Sequence, residues 1–297
     1  MTQVYDIRHR TRFSYERPVG FARSNVRLQP IAWPDQELLA YELRVEPGGA
    51  LVTRPARAGL VNLTRVVIAD STNWLDVISS ARVRVNRPVA GAQAGDPSVG
   101  EIARMVRATA DVGDLSPANF LYPSPNIPVD AAIAAWAVES LDTDRGVVDA
   151  AYNLAWRMWT EFQFDTAITT AETPPAQAFA ARAGVCQDFA QIMICGLRAA
   201  GLPAAYASGY IRTIPPEGKA RLQGADAMHG WVLAWCGPDR GWMGFDPTNG
   251  IVMAEDHVLV AVGRDYRDIA PIDGVFTGSG AQDVRVEVDM EPVVAPV

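Results

Sequence analysis

The first third of the chain alternates between apolar and polar residues with a period of two. The alternation is clearest over 3–15, 41–45 and 81–85, and clusters of proline and glycine separate these runs. This combination is typical of antiparallel strands joined by turns. We therefore predict an antiparallel β-domain over residues 1–88, and its composition shows no site chemistry.

The remaining two thirds of the chain mix helical and strand patterns. Residues 89–115 are rich in glycine and proline before a short helical pattern, so we predict a linker with one short helix. Residues 116–297 are predicted to form a second, catalytic domain. A clean alternation over 284–289 predicts a half-exposed C-terminal strand in that domain.

One long helix is predicted after the cap signal at 142–144, because apolar residues then recur at helical spacing. An aromatic stripe at this spacing is typical of a core face rather than of a ligand site. The predicted buried face consists of Val148, Ala151, Tyr152, Ala155, Met158, Trp159 and Phe162.

The segment 184–250 contains the candidate chemistry. Cys186 follows a glycine and opens a predicted helix over Gln187 to Ala200, which Gly201 ends. A helix N-terminus favours an anion, and therefore the thiolate form that makes a cysteine nucleophilic.

Two predicted strands follow that helix and carry a possible base and acid. His229 leads into an apolar strand, and Asp246 ends a short aromatic strand at a proline turn. A thiol, an imidazole and a carboxylate on successive elements match the logic of a catalytic triad. In that arrangement Asp246 orients the imidazole of His229, which takes the proton of Cys186.

These segments resemble a known family. GVCQDFAQIMICGLRAAGLPAAYASGY, DAMHGWV and GWMGFDPTNG are similar to the transglutaminase-like superfamily, and YDIRHRTRFSYERPV resembles the N-terminal domain of its bacterial branch. The resemblance implies an α+β fold. Its papain-like core would be a cysteine helix packed on an antiparallel sheet, preceded by an antiparallel β-domain. It also implies the triad Cys186, His229 and Asp246.

Other polar and aromatic residues near the triad are weaker candidates for substrate or oxyanion contacts. The backbone N–H of Cys186 is a natural oxyanion donor, but the sequence does not identify a second donor. Helix capping is the competing role for one of the candidates, Asp188. The candidates are Gln187, Asp188, Trp231 and Asn249.

The predicted reaction is acyl transfer through a thioester on Cys186. The acyl group would come from a peptide or protein amide and would pass to water, as in an amidase or peptidase, or to an amine acceptor. The alternative is a catalytically inactive binding or scaffold protein on the same fold. No cofactor is expected, and the chain lacks the spacing of zinc motifs or of a calcium loop.

The charge and the distribution of apolar residues limit the classes of partner that we expect. With 26 basic and 34 acidic residues, the net charge is −8 and the pI is near 5.0, which argues against nucleic-acid binding. We find neither a signal-like N-terminus nor an apolar run of the roughly 18 residues that a membrane span needs, so we expect a cytoplasmic protein with no membrane partner. The oligomeric state is not predicted.

The remaining cysteines and histidines are predicted to be structural. Three cysteines without paired spacing do not indicate disulfides, so Cys195 and Cys236 are expected in the core. His9 is expected at the surface or between strands, and His257 in a structural hydrogen bond. The segment 215–219 is a candidate lid by composition.

Overall fold

The structure is a computed structural model that describes residues 2–47, 51–53, 60–213 and 228–293. The candidate lid at 215–219 therefore lies outside the described residues. The helices are α1 (Val99–Arg107), α2 (Ala131–Ala137), α3 (Val147–Glu161), α4 (Pro175–Ala181), α5 (Cys186–Ala199) and α6 (Tyr266–Ile269), with a 3₁₀ turn at Pro117–Phe120. The strands are β1 (Gln3–Val19), β2 (Phe21–Val26), β3 (Gln36–Glu46), β4 (Leu51–Thr53), β5 (Thr64–Ile68), β6 (Thr72–Val85), β7 (Gln163–Phe164), β8 (Ala183–Gly184), β9 (Ala204–Ile211), β10 (Met228–Trp235), β11 (Trp242–Asp246), β12 (Ile251–Val252), β13 (His257–Gly263), β14 (Ile272–Thr277) and β15 (Gln282–Pro292).

A five-stranded sheet forms the centre of the molecule, in the order β12-β11-β10-β9-β13 with every neighbouring pair antiparallel. The cysteine helix α5 packs on β9 and β10. Twelve of its residues are buried, and four of these are polar: Gln187, Asp188, Gln191 and Arg198. The predicted α+β fold, with a cysteine helix on an antiparallel sheet, is confirmed.

The central sheet lies between two other layers. On one face Tyr206, Val232 and Phe245 pack with the helices in a single core. On the opposite face Trp231 and Leu259 pack with Ile31 and Trp33, which precede β3. Tyr210 and its strand partner Val258 share the face of Tyr206 by register, and they pack with the N-terminal strands in a separate cluster. The sheet that carries the triad strands is therefore covered by helices on one side and by the N-terminal β-domain on the other.

The N-terminal β-domain contains the C-terminal strands as well. Its two antiparallel sheets have the orders β15-β1-β6-β3 and β14-β2-β5-β4. β15 pairs with β1 from Tyr5 opposite Pro292 to Tyr15 opposite Gln282, and so covers an edge that would otherwise be long and open. The sequence-based boundary placed this strand in the catalytic domain. The structure instead returns residues 272–292 to the first domain.

The predicted linker over 89–115 is only partly a linker. α1 begins at a capping box in which Ser98 and Glu101 exchange hydrogen bonds. Its apolar face, Val99, Ile102 and Val106, is buried in the same core as α3 and α5. The helix is thus part of the hydrophobic core that contains the cysteine helix. Among the described residues no helix is long and apolar enough to cross a membrane.

The predicted buried face of α3 is wrong for two aromatic residues. The side chains of Tyr152 and Trp159 are 36% and 46% exposed. α3 instead buries a stripe of small and aliphatic residues, which allows close approach to α5 and β11. That stripe is Val147, Val148, Ala150, Ala151, Leu154, Ala155 and Met158.

His9 is buried rather than at the surface. Its imidazole hydrogen-bonds the Tyr210 hydroxyl at 3.2 Å through Nδ1 and Thr11 Oγ1 at 2.9 Å through Nε2. Burial lowers the pKa of His9 to about 4, so the ring is neutral where the first β-domain meets β9. Cys195 and Cys236 are buried as predicted.

Gly209 on β9 provides a test of this layered packing. An alanine Cβ at this position would lie 1.9 Å from the carbonyl oxygen of Val258 and 2.7 Å from the Trp231 ring. Because a backbone carbonyl in a paired strand cannot move aside, we predict that Gly209→Ala lowers the free energy of unfolding by about 3 kcal/mol. Urea unfolding measures the change.

Gly91→Ala is the matched control, because nothing lies within 4 Å of its Cβ position. It should change the free energy of unfolding by less than about 0.5 kcal/mol. Equal effects of the two substitutions would contradict the packing of β9 against β13.

Candidate active site

Cys186 is the first residue of α5, and a short parallel pair formed by β7 and β8 leads the chain into it. Asp188 caps this end of the helix by accepting a hydrogen bond from the Val185 N–H at 2.8 Å. Gly184 must lack a side chain, since a Cβ there would lie 2.6 Å from the Asp188 carboxylate. The thiol of Cys186 is partly exposed, as a nucleophile requires.

The loop before α4 is attached to the same end of α5. Thr169 Oγ1 donates to Asp188 Oδ2 at 2.6 Å, and Gln187 Nε2 donates to the Ala171 carbonyl at 2.9 Å. Both predicted contact residues that follow the cysteine therefore have structural partners. Asp188 caps the helix and binds the loop at Thr169, and Gln187 binds the same loop at Ala171.

His229 and Asp246 form a buried hydrogen-bonded pair. The distance from His229 Nε2 to Asp246 Oδ2 is 2.8 Å, and the residues are 8% and 0% exposed. Burial alone would lower the pKa of His229. The Asp246 charge and hydrogen bond, together with Cys186, outweigh burial and raise the His229 pKa to about 10. Because Asp246 occupies Nε2, Nδ1 is the nitrogen left to exchange a proton with Cys186.

The turn after β11 holds the Asp246 carboxylate in place. Oδ1 accepts the backbone N–H groups of Thr248 at 2.9 Å and Asn249 at 3.2 Å. Oδ2 accepts the side-chain amide of Asn249 at 2.6 Å. The amide of Asn249 is thus used to orient Asp246, and the structure gives it no contact that would suit an oxyanion donor. Burial would raise the pKa of Asp246, but His229 and His257 hold it far below its usual range.

A second imidazole, which the sequence analysis did not connect with the site, contacts the same carboxylate. His257 Nε2 lies 3.3 Å from Asp246 Oδ2, and His257 Nδ1 lies 3.4 Å from the Ala254 N–H. Burial lowers the pKa of His257, which keeps the ring neutral with its proton on the nitrogen that faces Asp246. The available signal was that His257, like His229, stands at the start of an apolar strand.

Trp231 supports the two imidazoles from within the core. Its ring stacks on His229 at 5.9 Å with an interplanar angle of 25°, and meets His257 edge-on at 5.2 Å. Its indole N–H points to the sulfur of Met253 at 3.1 Å. Trp231 is fully buried and packs against the imidazole of His229, so in this structure its ring does not face solvent.

The grouping of His229, Asp246 and His257 also has the composition of a metal site, with ligand atoms within 4.8 Å of one another. The nitrogens lie only 2.8 and 3.3 Å from one shared oxygen, which also accepts the amide of Asn249. These are hydrogen-bond distances, and a metal would need to displace the protons between the atoms. We therefore interpret the three side chains as a hydrogen-bonded cluster rather than as a metal site.

Tyr206 is a further residue that the sequence analysis did not single out. Its hydroxyl lies beside Gly230, where it would be 2.2 Å from an added Cβ. Burial, then the charges of Cys186, Tyr266 and Asp188, raise the pKa of Tyr206 well above its ordinary value. The Tyr206 hydroxyl is therefore neutral and can donate a hydrogen bond, and it lies beside the residue that follows His229.

Comparison with known proteins places this geometry in a family. Residues 5–84 match the model of the bacterial transglutaminase-like N-terminal region, and residues 132–247 match that of the transglutaminase-like superfamily. An uncharacterized protein of Mycobacterium tuberculosis is 32% identical over 296 residues, which cover 98% of this chain and 93% of the relative. The chain belongs to the transglutaminase-like superfamily.

Two further similarities are more limited. A Pseudomonas aeruginosa protein named protein-glutamine gamma-glutamyltransferase is 39% identical over 71 residues, which cover 24% of this transglutaminase-like chain and 10% of that protein. A crystal structure of a "Putative Cysteine Protease" from Cytophaga hutchinsonii superposes with a TM-score of 0.79 at 20% identity. It covers 100% of this chain and 93% of its own, which shows a shared fold.

The protonation states of this transglutaminase-like site are testable because the chain has only three histidines. At about pH 7 we predict one charged ring, His229, and two neutral rings, His9 and His257. In Asp246→Asn the charge that raises the His229 pKa is gone and burial lowers it, so all three rings should be neutral. NMR of histidine labelled with ¹³C at Cε1 measures this.

Assignment by single His→Gln variants identifies each signal. A His229 ring that titrates near its ordinary pKa of about 6.5 in both proteins would contradict the buried pair.

Proposed function

We propose that this protein is a thiol enzyme that transfers acyl groups through a thioester on Cys186. The buried pair of His229 and Asp246, with the thiol acting on the same imidazole, carries this proposal. A carboxylate is expensive to bury unless it stabilises a positive charge, and an imidazolium beside a thiol is that charge. The membership of the superfamily supports the same chemistry.

The first half-reaction forms the thioester. The Cys186 thiolate attacks an amide carbonyl, forming a C–S bond and a tetrahedral oxyanion. The oxyanion collapses, the C–N bond breaks, and His229 gives its Nδ1 proton to the leaving amine. Asp246 keeps the ring oriented throughout and stabilises the imidazolium without taking its proton.

Two donors are proposed for the oxyanion. The backbone N–H of Cys186 lies in the first turn of α5, where it has no partner within the helix. The Tyr206 hydroxyl, kept neutral by its raised pKa and lying beside the residue that follows His229, is the second donor. Preorganised donors of this kind stabilise charge that develops only during the reaction.

The second half-reaction passes the acyl group to water or to an amine. His229 takes a proton from the acceptor as it attacks the thioester, and the Cys186 thiolate leaves. The similarity to a protein-glutamine gamma-glutamyltransferase supports glutamine as donor and an amine as acceptor, over the short segment that matches. Hydrolysis of a peptide amide is the simpler outcome, since water is always present.

A cleft lined by the loop before α4, by residues around α6 and by the segment 125–128 offers room for a peptide or protein substrate, although none of the proposed triad residues lines it. Its volume is about 810 Å³, within the range of small-molecule sites. One wall contains Ala171, which Gln187 holds, and the opposite wall contains Tyr266, whose raised pKa reflects burial and then the charge of Cys186. We propose that the acyl donor enters here. The cytoplasmic location stays a prediction.

The proposal predicts that Cys186 reacts as a thiolate well below neutral pH. Iodoacetamide should label it at about pH 6 nearly as fast as at about pH 8, because His229 holds the proton over this range. In His229→Gln, labelling at about pH 6 should fall at least about tenfold. Peptide mass spectrometry locates the label.

Cys195 and Cys236 are internal controls, since both are buried and should remain unlabelled. If iodoacetamide labels Cys186 of the wild type only as the pH approaches about 8.5, the ordinary pKa of a thiol, the enzyme proposal fails. The binding or scaffold alternative would then be preferred.

The oxyanion assignment predicts a separate effect of Tyr206→Phe. Acylation of Cys186 by p-nitrophenyl acetate passes through an oxyanion, so its rate should fall by about 10²-fold. Alkylation by iodoacetamide forms no oxyanion and should be unchanged. Stopped-flow absorbance of the released nitrophenolate measures acylation, and equal losses in both reactions would indicate only a damaged site.

A further inference from the structure

The turn that precedes β13 presents His257 to the catalytic carboxylate, and the N-terminal β-domain holds that turn. Arg87 donates from Nη1 to the carbonyl of His257 at 2.8 Å and to the carbonyl of Ala254 at 3.2 Å. These carbonyls lie at the two ends of the turn. The guanidinium of Arg87, just after β6, therefore fixes the position and orientation of the turn that carries the His257 imidazole.

Arg87 is itself held rigidly. Its Nε and Nη2 form two parallel hydrogen bonds with the Asp35 carboxylate, both 2.6 Å long. The Arg87 side chain is only 4% exposed, whereas its partner Asp35 is 27% exposed, so the guanidinium is buried and the carboxylate faces solvent in part. Because the planar guanidinium of Arg87 binds Asp35 through two nitrogens and the turn through the third, it cannot rotate, and it is therefore suited to positioning the turn.

Two neighbouring contacts from the same domain restrain the turn and the strand that follows it. The Tyr5 hydroxyl donates to Asp256 Oδ1 at 2.8 Å. The Gln36 side chain donates to the Leu259 carbonyl and accepts from the Leu259 N–H, each at 2.8 Å, where β13 has a bulge against β9. Gln36 thus pairs with backbone groups of β13, which is an edge strand of the central sheet.

We infer that the N-terminal β-domain is a positioning device for the triad, acting from Asp35 and Arg87 through His257 on Asp246. The inference rests on the proposed function, because it assigns the domain a role in positioning the thiolate–imidazolium pair of Cys186 and His229. Arg87 and His257 are positioning residues, because both are buried and each acts through hydrogen bonds to other residues.

The physical reason is that His257 and His229 share one oxygen atom. Their Nε2 atoms lie 3.3 and 2.8 Å from Asp246 Oδ2. A displacement of the turn that carries His257 would let the carboxylate swing within its own turn and would lengthen the bond to His229. The charged groups that act on the His257 ring are Asp246, His229 and Arg87. Misplacing a catalytic contact by about 1 Å can cost about 10²-fold in rate.

The test compares Cys186 labelling by iodoacetamide at about pH 6 and at about pH 8.5. The ratio of the two rates reports the thiolate–imidazolium pair and cancels changes in access to the thiol. We expect Arg87→Met and His257→Leu to lower this ratio about tenfold, a shift of one pH unit. Asp35→Asn, which leaves Arg87 in place, should lower it by a smaller factor.

Two controls separate positioning from general damage. His257→Gln keeps an N–H donor near Asp246 and should restore the ratio to within about twofold of wild type. Arg82→Met removes a two-bond pair of the same geometry, with Asp6 at 2.6 and 2.7 Å, from a solvent-exposed position in the same domain and away from the turn. It should leave the ratio unchanged. Thermal unfolding confirms that each variant is folded at the assay temperature.

The outcomes distinguish this inference from the proposed function. If wild type shows a high ratio and the Arg87, Asp35 and His257→Leu variants all match it, the positioning role is overturned and the enzyme proposal stands. If Arg82→Met lowers the ratio as much as Arg87→Met does, the effect is general and the inference is also overturned. A wild type with a low ratio would overturn both.

Discussion

The site depends on keeping a charged carboxylate, that of Asp246, at a position with no exposure to solvent. Transfer of a charge out of water is unfavourable by several kcal/mol unless hydrogen bonds and an opposite charge replace the lost water. Here the donors are two backbone N–H groups, one amide and two imidazoles. The carboxylate in turn makes the imidazolium form of His229 favourable in a place where burial alone would make the ring neutral.

This requirement explains the architecture around the central sheet. α5 brings the thiol to one end of the sheet, and β10 and β11 bring the imidazole and the carboxylate. The opposite face is covered by the N-terminal β-domain, which excludes water from the carboxylate and supplies Arg87 and Asp35. The last strand, β15, completes that domain by pairing with β1. Both ends of the chain therefore contribute to the layer behind the triad.

The sequence predicted the elements whose signals are local. The cysteine helix and the strands of His229 and Asp246 followed from periodicity and from motifs of a few residues, whereas the fold class followed from the resemblance to the transglutaminase-like superfamily. The pairing of β15 with β1 could not be predicted, because alternation identifies a strand but not its partner, which here lies 267 to 287 residues away in the chain. His257 and Tyr206 were missed for the same reason, since their roles arise from sheet register. The exposed aromatics of α3 were misassigned because apolar character does not reveal which face a neighbour covers.

The central claim is that the thiol and imidazole exist as an ion pair before substrate binds. The most direct measurement is the far-ultraviolet absorbance of the thiolate as a function of pH, taken as the difference between wild type and Cys186→Ala. The account predicts a thiolate signal that persists down to about pH 5 and disappears in Asp246→Asn at that pH. A signal that emerges only near about pH 8.5, and equally in Asp246→Asn, would contradict the account, because the buried carboxylate would then have no effect on the thiol.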